Sequence, residues 1–335
     1  MQRRRQQATS FDVARIAGVS QAAVSRAFTP GGRIAEATRA KVLKAALALK
    51  YVPNTIARSL STRRSNIVAI VIGDMENPFY ATVLALFSRR LPELGKHVLL
   101  FTVPQGGSVD DAIGSVLGYQ IDGLVVTAAT ISSRMARLCV QQSIPVVLYN
   151  RHVPGLGVHS VCCDNVAGGR LVAQTLHDAG ARSFAVICGD ASTSTTRDRI
   201  RGFTSELANL SVRAKAIMEE GGRYTYDGGF AAALRLLTSR SRPDALFCLN
   251  DIMALGALDA IRGSLKLKVP DDVMLAGFDD IPDAGRAAYR LTTVRQPVDE
   301  MVEETLALLG LQGSPPASKP LVRRFPGVLV MRDTV

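Results

Sequence analysis

The chain has 335 residues, 47% of them hydrophobic and 21% charged, with a formal net charge of +11; this is the composition of a folded globular protein with room for a small domain and a large core. No apolar run approaches the roughly 18 residues of a membrane span. The opening MQRRRQQATS has no apolar stretch behind its charges, so a secretory signal is not expected either.

The first predicted elements lie in FDVARIAGVSQAAVSRAF, residues 11–28. Thr9 and Asp12 make a T-x-x-D capping box, which starts a helix at Ser10. Val13, Ile16 and Ala17 share one face by i, i+3, i+4 spacing. Gly18 ends this helix, because glycine enters the left-handed conformation without a Cβ clash, and Ser20 caps a second one. On a wheel of about 100° per residue, Ala23, Val24, Ala27 and Phe28 fall on one side of that second helix. Gln21, Ala22, Ser25 and Arg26 fall on the other. A short helix pinned by small apolar residues, with a polar face and an arginine outward, is the arrangement a helix-turn-helix uses in the major groove. A third helical pattern, EATRAKVLKAALAL, places Val42, Leu43, Ala46 and Leu49 together, and Pro53 halts it.

Charge distinguishes this segment from an ordinary helical hairpin. Residues 1–65 hold thirteen Lys or Arg against two acids, Asp12 and Glu36, whereas the remaining residues hold 27 of each sign. The whole excess therefore sits on the segment with the helix pair, the footprint of a polyanion binder. A membrane-surface helix is excluded because the apolar sides are small and alanine-rich.

From residue 66 strand-like runs alternate with helical patterns: NIVAIVIG, HVLLFTV, DGLVVTA, PVVLYN, SFAVICGD, DALFCLND and VMLAGFDD. They are apolar throughout, as strands covered on both faces are, and predict βαβ units with parallel sheets in two subdomains. Several end in a polar residue: Asp74, Asn150, Asp190, Asn250 and Asp279. Ligands of open α/β sheets bind outside these carboxyl ends, so the set predicts a polar cleft, although each residue alone could simply cap the next helix. The five cysteines, Cys139, Cys162, Cys163, Cys188 and Cys248, lack a C-x-x-C and read as buried thiols in a reducing cytoplasm.

The pattern resembles the lactose-repressor (LacI-type) family of bacterial transcription regulators along essentially the whole chain. The carrying motifs are DVARIAGVSQAAVSR, ATRAKVLKAALALKYVPNTIARSL, NPFY, DGLVV, IPVVLYNR, CDNVAGG, RIRGF, LFCLNDIMALGAL, LAGFDDIP, LTTVRQP and VLVMRD. The resemblance implies a small all-α helix-turn-helix headpiece (1–52), a hinge helix and linker (53–65) and an effector-binding core (66–335). That core would be α/β, two doubly wound parallel-sheet subdomains like those of periplasmic binding proteins, about 66–160 plus 295–318 and 161–294 plus 319–335. It also implies a repressor that binds a palindromic double-stranded operator as a homodimer, under the control of a small-molecule effector. Ser20, Gln21, Ala22, Ser25 and Arg26 fall where the family contacts its operator. In the hinge, Asn54, Ala57, Arg58 and Leu60 do so, with Leu60 at the position of a leucine wedged into the minor groove. Phe79, Tyr80, Asn150, Arg199, Tyr224, Asn250 and Asp279 match cleft positions, with Tyr224 and Phe79 the expected apolar platforms. The effector implied is a sugar, sugar acid or sugar phosphate, with a nucleobase or nucleoside corepressor as the alternative.

Three departures stand out: Ala35 where a serine cap is common, Lys50 where a glycine is common, and the connector FTPGGRIA. The competing readings are a plain α/β binding protein and a dehydrogenase-like enzyme. Against an enzyme, the sequence has no G-x-G-x-x-G, P-loop, G-x-S-x-G or H-E-x-x-H. His97, His152, His159 and His177 form no metal-ligand spacing. No catalytic residue, metal or cofactor is expected, and a cytoplasmic location is. The ending MRDTV carries no heptads, so tetramer formation has no visible support.

Overall fold

The computed structural model describes residues 8–29, 31–52, 65–73, 75–103, 107–127, 131–212, 217–313 and 319–335. The chain divides between Ser65 and Asn66 into two compact units.

The first unit starts with helix α1 (Ser10–Ala17), whose capping box joins the side chains of Thr9 and Asp12 to each other's backbone N–H; Gly18 closes it with φ 66°. Ser20 caps α2 (Gln21–Ala27) by accepting from the Ala23 N–H. Helix α3 (Glu36–Ala48) follows. Val13, Ala14, Val24, Ala27, Val42, Ala45 and Ala46 form their common core, bordered by Phe28 and Tyr51, whose rings meet edge-on at 5.9 Å. Two expected core positions lie outside it: Ile16 is 53% exposed and Leu43 43%. In α1 the buried arc is centred between Val13 and Ala14, leaving Ile16 about 100° away. Leu43 is displaced in the same manner from Val42 and Ala46. Two partner helices choose the buried arc, and spacing along one helix does not reveal where those partners lie.

The departures at Ala35 and Lys50 have visible consequences. Ala35 occupies the N-cap of α3 with extended φ and ψ but no side-chain hydrogen bond. Ala35→Ser should therefore stabilise the first unit by about 1 kcal/mol, read as a higher denaturation midpoint with an unchanged slope. Lys50 takes a left-handed φ of 51°. The connector is held by Arg39, whose guanidinium donates to the carbonyls of Ala27 (2.7 Å) and Gly32 (2.9 Å).

The second unit contains two parallel sheets. The first has β1 (Ile67–Ile72), β2 (His97–Thr102), β3 (Gly123–Thr127), β4 (Val146–Tyr149), β5 (His159–Cys163) and β11 (Val322–Phe325), in the order β11-β5-β4-β3-β1-β2. The second has β6 (Phe184–Cys188), β7 (Ile217–Gly221), β8 (Ala245–Cys248) and β9 (Met274–Ala276), in the order β7-β6-β8-β9. A short antiparallel pair, β10 (Thr293–Arg295) with β12 (Val328–Val330), completes the strands. Around them lie α4 (Pro78–Glu93), α5 (Val109–Leu117), α6 (Ser133–Gln141), α7 (Asn165–Asp178), α8 (Ser194–Asn209), α9 (Tyr226–Leu237), α10 (Asp251–Asp259) and α11 (Val298–Leu308). The central strands β3, β4 and β8 are buried at every residue, which accounts for their unbroken apolar texture. Among the described residues no helix is long and apolar enough to cross a membrane.

The structure alters the expected subdomain limits. Strand β5 belongs to the first sheet through pairing with β4, and β11 joins it through pairing with β5. Residues 161–163 and 322–325 thus leave the group in which the sequence placed them. The last residues do return to the second sheet, where Leu275 N–H donates to the Thr334 carbonyl.

Candidate functional site

Two surfaces bring the expected residues together, one in each unit. In α2, Gln21, Ala22, Ser25 and Arg26 are exposed while Ala23, Val24 and Ala27 are buried. Ser20 is used by its own cap, so its hydroxyl is committed to the Ala23 N–H at 3.2 Å. Arg26 donates from Nε to the Ala22 carbonyl at 3.3 Å. The expected hinge residues Asn54, Ala57, Arg58 and Leu60 lie outside the described residues, as does Asp74.

The second surface is a cavity lined by Asn77, Tyr80, Asn150, Arg151, Thr195, Arg199, Tyr224, Asn250 and Asp279. Each side chain arrives from the carboxyl end of a strand or the first turns of the helix beyond it. Asn77 caps α4, accepting from the Phe79 N–H at 3.0 Å. Asn150 follows β4, and its Nδ2 donates to the Tyr80 hydroxyl at 3.2 Å. Asn250 caps α10 through Oδ1, which accepts from the Met253 N–H at 3.1 Å. Capping and lining are not exclusive here, since Asn77 and Asn250 do both.

Arg199 sits at the centre and is almost fully buried. It donates to Asn165 Oδ1 at 2.8 Å, to the Leu249 carbonyl and to Asp279 Oδ1 at 3.2 Å. Its guanidinium carbon lies 3.6 Å from the centre of the Phe278 ring. Asp279 Oδ1 also accepts from Gln296 Nε2 at 2.7 Å. A buried ion pair with this many hydrogen bonds offsets its desolvation and holds a fixed geometry. Behind it Asp251, wholly buried, accepts from the Ile281 N–H (2.9 Å) and the Thr293 hydroxyl (2.6 Å). Burial, reinforced by the nearby Asp279 charge, pushes its carboxyl up to about 7. This residue shapes the turn that presents Asp279.

Three of the lining residues have a left-handed backbone. Asn150, Tyr224 and Asp279 have φ of 68°, 60° and 125°. Non-glycine residues in such conformations cost on the order of 1–3 kcal/mol and cluster at ligand sites. The Tyr224 ring lies flat over Gly189, where an added Cβ would come within 2.0 Å of it. Its hydroxyl meets those of Thr195 (3.2 Å) and Thr196 (2.5 Å).

Some of the expected cleft set is displaced. Tyr80, Asn150, Arg199, Tyr224, Asn250 and Asp279 line the cavity, but Phe79 does not. It is buried and packs edge-on against Tyr80 at 5.2 Å, backing a residue of the wall. The sequence reading omitted Asn77, Arg151 and Thr195. Asn77 and Arg151 stand inside the NPFY and YNR stretches it quoted, whereas Thr195 had no signal.

Beside the cleft, the His152 N–H donates to Ser194 Oγ at 3.0 Å, and its Nδ1 lies 3.8 Å from Asp198 Oδ2. Burial holds its pKa below the ordinary value; Asp198 opposes this shift, while Arg324, Arg197 and Arg201 add to it. A depressed folded pKa gives stability that is present above about 6.5, the unfolded value, and is lost as pH falls through the folded one. The melting temperature should therefore fall more between pH 7.5 and 5 in the wild type than in His152→Gln, as differential scanning calorimetry would record.

Residues 11–54 match the family of bacterial regulatory proteins, lacI family, and residues 173–335 match a periplasmic binding protein-like domain. The chain is 35% identical over 302 residues to the HTH-type transcriptional regulator DegA of Bacillus subtilis (strain 168), covering 88% of each. It is 29% identical to the transcriptional regulator CelR in its cellobiose complex, with a TM-score of 0.71 over 98% of this chain and 100% of that one. It is 26% identical to the Lac repressor dimer bound to operator and the anti-inducer ONPF, with a TM-score of 0.85 over 98% and 99%.

Proposed function

Because the chain belongs to the LacI family of bacterial regulatory proteins, we propose that it is a cytoplasmic, non-enzymatic repressor that binds a palindromic operator as a homodimer and answers to a sugar or sugar derivative. The observation that carries this reading is the exposed face of α2, with Gln21, Ala22, Ser25 and Arg26 presented by a helix whose other side is buried. That face belongs to the segment holding the entire net charge of +11. Gln21 suits adenine and Arg26 suits guanine, each pair worth about 1–3 kcal/mol of discrimination. Ala22 offers only a methyl group, which fits a thymine methyl. The hinge, with Asn54, Ala57, Arg58 and Leu60, enters the minor groove.

Effector control rests on the cleft. Its nine lining residues are all polar, and buried Asn150 Oδ1 and Asn250 Nδ2 have no protein partner. An unmet acceptor and an unmet donor in one lining suit a hydroxyl-rich ligand, since a buried group left unpaired costs on the order of 1–3 kcal/mol. A sugar fits this lining better than a nucleobase, and cellobiose in the CelR complex is a precedent. Ligand binding shifts the operator-competent population only by the difference in affinity between the two states. Gel shifts of the full chain with its own promoter DNA test the proposal. Affinity should fall with salt at a log–log slope of roughly −5 or steeper and should change when the cognate sugar is added. Binding indifferent to sequence would refute it.

A further inference from the structure

We propose that Ser10 is a positioning residue for base reading, which holds the Gln21 side-chain amide in place. The inference rests on Gln21 reading a base, as proposed above. Gln21 Nε2 donates to Ser10 Oγ at 2.8 Å, across eleven residues and between the first turns of two helices.

The chemistry of an amide makes this contact consequential. A glutamine can present its oxygen and nitrogen in two arrangements related by a half-turn, and the two have opposite donor and acceptor order. Reading adenine in the major groove requires one order: an acceptor for the N6 amino group and a donor for N7. The serine hydroxyl can accept from Nε2 or donate to Oε1, so it accommodates either arrangement: it fixes the place of the amide and leaves a donor–acceptor pair outward for the base. Freedom that would otherwise be lost on binding is already gone in the free headpiece.

The contact is held rigidly. The capping box of Thr9 and Asp12 fixes the backbone beside Ser10, and the Ser20 cap does so beside Gln21. Val13, Ala14, Val24 and Ala27 lock the two helices together underneath. Arg26 shows a second case of the same device. Its Nε is tied to the Ala22 carbonyl, so only its two terminal nitrogens are left to pair with a base or phosphate. The contact pairs Ser10 with Gln21 by side-chain chemistry, so it is particular to chains carrying a hydroxyl at one position and an amide at the other.

The test is selection of bound sequences from a random duplex library by the full-length wild type and by Ser10→Ala, Ser10→Thr and Gln21→Ala. Ser10 is the first residue of α1 and takes no part in its cap or core, so alanine there leaves the fold intact; melting curves check this. The wild type should prefer one base at a position in each half-site, and Gln21→Ala should lose that preference. Ser10→Ala should weaken it roughly fivefold, about the worth of one ordinary hydrogen bond, at that position alone and with an unchanged salt slope. Ser10→Thr should restore it. Overturning results are a Ser10→Ala profile identical to wild type, or a uniform loss over all sequences with a shallower salt slope, which would make Ser10 a phosphate contact. A wild type that selects no sequence would instead overturn the regulator reading, and this inference with it.

Discussion

A chain beginning at Asn66 is expected to lose operator binding completely while still binding its effector. The division between Ser65 and Asn66 separates two units with their own cores, so the truncated chain keeps both sheets, α4–α11 and every residue lining the cavity. It also loses the whole charge excess, since the residues from 66 onward carry equal numbers of basic and acidic side chains. Counterion release supplies most non-specific affinity for DNA, so a neutral remainder should show neither specific nor non-specific binding. Fluorescence anisotropy with operator DNA reads the first half of this expectation. A ligand-dependent rise in melting temperature reads the second, because a ligand that binds only the folded form stabilises it. Operator affinity retained by the truncated chain would place recognition outside the first unit.

Replacing Arg199 with methionine should destabilise the second unit by about 3–5 kcal/mol, the usual cost of leaving one partner of a buried ion pair alone. For a unit of this size that is a fall in melting temperature on the order of 10 °C. Four contacts vanish together: those to Asn165, Leu249 and Asp279, and the stacking on Phe278. Asp279 would retain the hydrogen bond from Gln296 but no longer a countercharge at 3.2 Å. Effector affinity should fall too, as the strained Asp279 backbone is over-determined by this network and would relax without it. The double variant Arg199→Met, Asp279→Asn separates the two effects. Removing the orphaned charge should recover much of the stability, whereas ligand affinity should stay lost. Full recovery of both would mean that Arg199 serves folding alone, and loss of neither would show that the ion pair is dispensable.

Local chemistry was legible without any structure. The start of α1 at Ser10, its end at Gly18 and the cap at Ser20 each depend on a few neighbouring residues and on φ/ψ preferences that act within one turn. The burial of Ala23, Val24 and Ala27 followed from helical spacing, and the central strands β1, β3, β4, β6 and β8 followed from apolar runs of the right length. Polar residues at strand ends pointed to Asn150, Asn250 and Asp279 for a similar reason: in a parallel sheet those ends open on one side.

Where a partner distant in sequence decides the outcome, the residues themselves carry little signal. Strand β11, VRRF, is mostly exposed at a sheet edge, and β7, IMEEG, also pairs on one side only; neither shows the apolar run that marks a covered strand. Strand β5, HSVCC, is wholly buried, yet its small and sulfur-bearing side chains do not announce it. Phe79 and Tyr80 are adjacent on one helix, and only their packing decided that the second lines the cleft while the first supports it. Arg199 reached its buried place because Asn165, Leu249 and Asp279 supplied acceptors from three separate segments. Caps and periodicity are energies of the local chain, whereas edge pairing, burial of charge and the walls of a cavity are energies of contacts that exist only after distant segments have met.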